Sequence, residues 1–314
     1  MPTNAERNEH TARAPSGEQE SGVRTSLDVG LLRAPTTERD EVRPEVYGCT
    51  DRGRVRRNNE DQFLVADLER RLVLHESSAP EAAEASPVGE RRQGFLFVVA
   101  DGMGGYEGGE IASAVAVGSI VKYALELMPW LASASDSAEH ELAEGMRSAM
   151  QVCHERVREA ARERALDIRM GTTLTLAYAV WPRLYVLHAG DSRAYLYRAG
   201  GLYRLTRDHT LSQRLVEQNV LTEDQAAKSR YSHILLNSVG GQSESVQVEL
   251  HQLELHKRDM LLLCTDGLTG EVHDDLLAAR LGRGGPVRRI ADDLVLEANR
   301  AGGHDNVTLI VARF

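Results

Sequence analysis

Between residues 172 and 205 four runs rich in apolar, β-branched and aromatic residues follow in quick succession: TTLTLAYAV, RLYVLHA, RAYLYR and GLYRL. Only Trp181-Pro182, Gly190-Asp191-Ser192 and Ala199-Gly200 separate them. Parallel strands need a crossover of about a dozen residues or more, so links this short predict antiparallel hairpins or a meander. The remaining strand candidates are EVYGCT, QFLVAD, RLVLH, VQVEL, DMLLLC, NVTLIVA and the all-apolar FLFVVA, which reads as a buried strand. An Ala/Pro/Glu-rich insertion, ESSAPEAAEASPVGERRQ, precedes FLFVVA and reads as a surface loop.

Helical periodicity interrupts the strands. Ile111, Ala114, Val115, Gly118, Val121 and Leu125 fall on one face, as do Leu142, Met146, Ala149, Cys153, Val157 and Ala160. A third helix runs from about Pro286 to Asn299, with Gly302 and Gly303 beyond its end. A polar, partly helical stretch covers about 209–245, where Thr222 and Gln225 have capping-box spacing. Strand clusters alternating with helices, without regular βαβ spacing, predict an α+β layered fold of antiparallel sheets. Residues 1–44 are polar and turn-rich and are expected to form a disordered N-terminal tail, leaving 45–314 as one catalytic-size domain.

A net charge of -10 argues against nucleic acid and anionic membrane surfaces as partners. Cys49, Cys153 and Cys264 are far apart and form no C-x-x-C pair, which suits a reducing cytoplasm and gives no thiolate metal site. No apolar segment approaches the ~20 residues that cross a bilayer, and MPTNAERNEH is no signal peptide. A cytoplasmic location is therefore expected.

Chemistry is concentrated where acids end or begin apolar runs. Asp101 closes FLFVVA ahead of a glycine cluster, Asp191 follows RLYVLHAG, Asp266 follows DMLLLCT, Asp305-Asn306 leads into VTLIVA, and Glu60-Asp61 precedes QFLVAD. One Asp before Gly is an ordinary turn signal; five recurrences at strand ends are not. If the strands belong to facing sheets, these acids gather at one rim, where their mutual repulsion calls for cations. A set of oxygen ligands without clustered Cys or H-x-x-x-H selects Mg²⁺ or Mn²⁺ over Zn²⁺.

The ordered motifs TDRGRVRRNNED, VADGMGGYEGGEIAS, MGTT, HAGDSRAYL, LTRDHT, CTDGL and HDNVT resemble those of the metal-dependent Ser/Thr protein phosphatases of the 2C type, the PPM family, in their bacterial form. The resemblance spans about residues 45–314. It implies a four-layer α-β-β-α sandwich, and two Mn²⁺ or Mg²⁺ ions with a weaker third. It implies that Asp101 bridges two metals, that the Gly102 carbonyl and Glu60 lie at one, and that Asp266 and Asp305 hold the other. Asp191 matches the third-metal position, Asp61 an acceptor that orients metal-bound water, and Arg56 the arginine that grips the substrate phosphate. The implied reaction is direct attack of a metal-bridging hydroxide on the phosphate of phosphorylated Ser/Thr proteins, a cognate Ser/Thr kinase among them, by a monomeric enzyme. Residues 209–245 resemble the family's flap.

One departure is Met103, where many eukaryotic members carry a His that can protonate the leaving group; bacterial-type members share DGMGG, so the resemblance implies that a metal-bound water would take that role. The alternative from another class is a catalytically silent relative that binds phosphoproteins or a regulatory partner. Loss of a metal aspartate would mark it, and Asp101, Asp266 and Asp305 are all present. His188, His209, His233 and His304 read as scaffold or surface residues, His209 lying nearest the site, and Cys264 as a buried apolar residue. GMGGYEGGE lacks both the third glycine and the Gly-Lys-Ser/Thr of nucleotide-binding loops.

Overall fold

Side-chain alternation in strand β3 (Arg91–Met103) sets the layers of the molecule. Phe95, Phe97 and Val99 point one way, into a core shared with Leu196, Leu261, Leu263 and Ile310. Leu96, Val98 and Ala100 point the other way, against Ala112, Ala116, Ile120, Met146 and Cys153. A strand apolar on both faces must be covered on both, which an all-apolar FLFVVA requires. The computed structural model describes residues 42–70, 91–104, 107–126, 136–164, 166 and 169–314. RLVLH, residues 1–41 of the expected tail and all but the last three residues of the insertion lie outside these; those three open β3.

The remaining strands are β1 (Glu45–Asp51), β2 (Asp61–Arg70), β4 (Gly171–Thr172), β5 (Leu174–Val180), β6 (Arg183–Ala189), β7 (Arg193–Arg198), β8 (Gly201–Arg204), β9 (Val239–Gly240), β10 (Glu249–Glu254), β11 (Met260–Cys264) and β12 (Val307–Arg313). Among the described residues they form a sheet in the order β1-β12-β11-β7-β8 and a second in the order β10-β6-β5-β3-β4-β9, with β2 also on β3. Every pairing is antiparallel. Helices α1 (Gly108–Glu126) and α2 (Asp136–Glu163) cover the second sheet. On the first sheet lie α5 (Asp266–Thr269), α6 (Asp274–Gly282) and α7 (Val287–Ala301), with Leu268, Leu277 and Leu294 packed on Leu262 and Leu309. Two shorter helices, α3 (Leu211–Glu217) and α4 (Glu223–Ala227), lie in the 209–245 segment, and α4 carries the capping box expected at Thr222 and Gln225. The layers are thus α-β-β-α, as the resemblance implied.

The strand run after Thr172 forms the antiparallel hairpins expected, β5 with β6 and β7 with β8, and the chain changes sheets between them at Gly190-Asp191-Ser192. Two expectations are corrected. The α1 face is rotated from the one expected: Ala112, Ala116, Ile120 and Ala124 are buried, whereas Leu125 is exposed. This helix is apolar nearly all round, so periodicity alone does not choose a face, and close packing on β3 and α2 selects the alanines. VQVEL begins too early as a strand, for β10 starts at Glu249; Val246 instead exchanges backbone bonds with the Gln151 side chain on α2.

Candidate metal centre

The alternation that buries Phe97 and Val99 between the sheets continues one step to Asp101, at the rim of that inter-sheet core. On β2 the same parity carries Phe63, packed in the inter-sheet core, to Asp61, and the register sets Asp61 directly opposite Asp101. Like charges opposed across a pair are unfavourable without compensation. The first sheet delivers Asp266 immediately after β11 and Asp305 just before β12, while the change of sheets between β6 and β7 delivers Asp191.

These acids feel one another. Burial, followed by the charges of Asp61, Asp266, Asp191 and Asp305, holds the Asp101 carboxyl well above the usual carboxylate range. Burial and then Asp266 and Asp208 do the same to Asp191, with Arg193 opposing. Asp266 is raised by burial and by Asp305, while a hydrogen bond with Asp101 opposes the shift. Burial pushes Asp61 up to about 8, against hydrogen bonds from Thr308 and Thr265. Glu60 is raised by burial, with Arg56 pulling it down. The Thr265 hydroxyl donates to Asp61 Oδ2 at 2.9 Å, but Asp61 Oδ1 and Asp266 Oδ1 are buried without any hydrogen-bond partner among the described residues. Buried polar atoms are nearly always paired, so orphaned carboxylate oxygens among crowded acids fit a hard cation.

Neutral side chains hold the acids in place. The Thr173 hydroxyl accepts the Asp101 N–H at 2.9 Å and shares a 2.7 Å bond with Ser192, tying β3 to the turn that carries Asp191. Asn306 accepts the Glu60 N–H at 2.9 Å and donates to the carbonyls of Arg52 and Asn58, both at 2.9 Å, so one amide clamps the loop between β1 and β2. Sequence reasoning assigned no role to Thr173 or Asn306, although both lie in quoted motifs, MGTT and HDNVT. Arg56 on this loop is largely exposed and donates to Asp305 Oδ2 at 2.6 Å. Arg57 is exposed, and its side chain has no partner among the described residues.

The histidines divide. His188, His209 and Glu249 each bring one ligand-capable atom within 4.8 Å of the others, so by distance the trio could share one cation. Both nitrogens of His188 are already engaged, by the Thr175 hydroxyl at 2.8 Å and the Arg207 carbonyl at 2.9 Å. His209 Nδ1 accepts the Gly190 N–H at 3.2 Å and the Asn237 amide at 2.8 Å, while the His209 backbone N–H donates to the Gly190 carbonyl at 2.7 Å. This bonding makes the trio a brace that joins both ends of the 209–237 excursion to the Asp191 turn. His233 is exposed, with Nδ1 3.9 Å from Asp266 Oδ2, and His304 pairs with Glu271 at 2.6 Å. The Cys49, Cys153 and Cys264 thiols are all pushed up to about 12, chiefly by burial, which keeps them unreactive.

The protonation of the rim gives a prediction in the metal-free protein. Between an unfolded value of 3.8 and a folded value of about 8, native Asp61 keeps a proton that the unfolded chain has released, so stability falls as pH rises through that window. Asp101, Asp191, Asp266 and Glu60 act in the same direction. Buried His188, lowered to about 4, acts oppositely, but only below its unfolded value of 6.5. With EDTA present, the urea midpoint should therefore fall from about pH 6.5 to pH 8, and Mn²⁺ or Mg²⁺ should reverse most of the fall. A midpoint that does not fall across this range, or that ignores the cation, would contradict a cation-seeking rim.

An inter-sheet rim of buried carboxylates beside an exposed arginine is the equipment of a metal-dependent phosphoester hydrolase. The chain belongs to the protein phosphatase 2C family, whose model matches residues 85–298. It is 29% identical over 263 residues to the serine/threonine phosphatase stp of Listeria welshimeri, covering 83% of this chain and 92% of that protein. It is 31% identical over 264 residues to the serine/threonine protein phosphatase PstP of Mycobacterium tuberculosis, covering 84% of this chain and 43% of that one. The catalytic domain of PstP, solved in complex with two manganese ions, superposes with a TM-score of 0.67 at 29% identity, over 86% of this chain and 97% of that one. No helix among the described residues is long and apolar enough to cross a membrane.

Proposed function

We propose that the chain is a metal-dependent phosphatase that removes phosphate from phosphoserine and phosphothreonine in proteins, at the rim where Asp101 meets Asp61, Asp266 and Asp191. The observation that carries this is the pair of buried, unpartnered carboxylate oxygens on Asp61 and Asp266 within that crowd of acids, in a chain of this family. Asp101, Glu60 and the Gly102 carbonyl would hold one ion, Asp101, Asp266 and Asp305 a second, and Asp191 a weaker third. The two manganese ions of the PstP catalytic domain support that number. A divalent cation supplies Lewis acidity and makes water nucleophilic near neutral pH.

The chain's own residues do the rest. Arg56 has donors beyond the one spent on Asp305, and its planar fork suits the oxygens of a phosphate that are not transferred. Asp61, with one oxygen fixed by Thr265 and the other free, is placed to accept a proton as the nucleophile forms. The Met103 thioether cannot donate a proton, so the leaving alkoxide takes its proton from water. The 209–245 segment forms the flap of this proposal. It exposes Val220, Ile234 and Leu236, and His233 reaches toward Asp266, which supports contact with the protein part of the substrate. A cognate kinase among the substrates and a monomeric enzyme belong to the same proposal, as does a cytoplasmic location, which rests on the cysteine spacing and on the polar, span-free sequence.

Arg56→Ala should lower kcat/KM on a phosphoserine peptide by about 10²-fold or more, the scale of a lost transition-state charge contact, without weakening cation binding. Arg57→Ala should be silent. A crippled Arg57→Ala beside a silent Arg56→Ala would show that the phosphate contact has been assigned to the wrong arginine. On the same assays, Ile234→Ser should reduce turnover of a phosphoprotein but not of p-nitrophenyl phosphate; equal effects on both would remove the flap's role in selection.

A further inference from the structure

At the turn between α6 and α7, in a chain of net charge -10, arginines outnumber acids. A cavity of about 280 Å³ opens there, with Arg280, Arg283, Gly284, Gly285, Arg289 and Asp293 in its lining. Arg280 pairs with Glu297 at 2.5 Å, yet its Nε is buried with no partner among the described residues. The Arg283 and Arg289 side chains make no ion pair or hydrogen bond with any described residue. Asp293 is the single acid among the lining residues.

The cavity wall is held from three parts of the chain. At the end of β12, Arg313 donates to the Gly285 carbonyl at 2.6 Å and to Glu45 Oε2 at 3.1 Å. Glu45 Oε1 in turn accepts the Val287 N–H at 3.0 Å, at the first turn of α7. Gly284 and Gly285 have φ of +72° and +93°, a left-handed pair suited to glycine, and nothing stands where side chains would project. The turn therefore presents backbone and guanidinium groups to open space from a fixed frame. α7 runs 15 residues from this end to Ala301, beyond which lie Gly303 and Asp305. At about 1.5 Å per residue the cavity lies roughly 20 Å from the carboxylate rim.

Guanidinium forks bind tetrahedral oxyanions through paired N–H···O bonds, and the start of a long helix adds a favourable field. We propose that this cavity is a second anion site, separate from the catalytic rim, for a phosphoryl dianion, whether free phosphate or a phosphorylated side chain. It stands whether or not the rim hydrolyses phosphoesters.

The test is a titration of the ¹⁵N-labelled full chain, in Mg²⁺, with inorganic phosphate at constant ionic strength, following the Gly284 and Gly285 amide resonances. A saturable shift is expected in the wild type and in Arg56→Ala. In the double variant Arg283→Ser/Arg289→Ser the apparent Kd should weaken by at least about tenfold, since both forks are gone. A peptide carrying the phosphonate analogue of phosphoserine separates the sources. Saturation at a lower concentration than phosphate points to a phosphorylated segment, and saturation at an equal or higher one to the free ion; either supports the site. No saturable shift, the same shift with chloride, or an unchanged Kd in the double variant overturns it.

Discussion

Asp101→Asn is expected to lower kcat/KM on a phosphoserine peptide by at least about 10²–10³-fold, the scale set by removing one group that organises transition-state charge. The exchange keeps the shape of the side chain and removes its charge. No other acid of the rim is so central: Asp101 faces Asp61 across the β2–β3 pair and feels the charges of Asp61, Asp266, Asp191 and Asp305. Under the proposed ligand assignment, loss of the Asp101 charge should weaken cation binding at the rim. The same substitution should raise the Tm of the metal-free protein, because it relieves repulsion among buried carboxylates. Opposite signs on activity and on metal-free stability would be hard to obtain from a merely structural residue. Activity within tenfold of wild type would sink the assignment of Asp101.

Gly102→Ala should be nearly as damaging, for a steric reason. A Cβ at position 102 would run into the Gly109 carbonyl at the start of α1 and lie 2.7 Å from the Glu60 carbonyl. Both obstacles are backbone, and neither can rotate away. The Gly102 N–H also bonds the Glu60 carbonyl at 3.2 Å, so the added methyl would pry apart β3, α1 and the residue that precedes Asp61. Overpacking of this kind costs about 1–3 kcal/mol, and activity should fall by about 10²-fold because a misplacement of about 1 Å near a reacting centre has that effect. Gly118→Ala on the exposed side of α1 is the matched control: nothing lies within 4 Å of its Cβ, and it should stabilise the protein by about 0.5–1 kcal/mol. Equal stability and activity in the two variants would show that the β3–α1 approach is looser than described.

What could be read from sequence followed from two signals. Short links required antiparallel pairing, and acids recurring at the ends of apolar runs such as FLFVVAD allowed the rim of acids to be anticipated. Where the pattern was flat, it failed: α1 is apolar around most of its circumference, and only its packing on β3 and α2 distinguishes Ala112 and Ala116 from Leu125. The change of sheets at Gly190-Asp191-Ser192 was hidden for a different reason. A three-residue link fits a hairpin as well as a crossing, and the crossing is fixed by partners distant in sequence, Thr173 on Ser192 and His209 on Gly190. Thr173 and Asn306 escaped notice because a neutral residue that holds a backbone turn carries no charge pattern. The carboxylates announced themselves; their supports did not.

The most direct measurement is phosphate release by EDTA-stripped protein from matched phosphoserine, phosphothreonine and phosphotyrosine peptides, before and after addition of Mn²⁺ or Mg²⁺. Hard oxygen ligands and a rim that cannot carry its charges unaided predict no turnover without the cation, and recovery on phosphoserine and phosphothreonine with it. Turnover that is indifferent to EDTA, or none on any peptide at saturating cation, would contradict a metal-dependent Ser/Thr phosphatase.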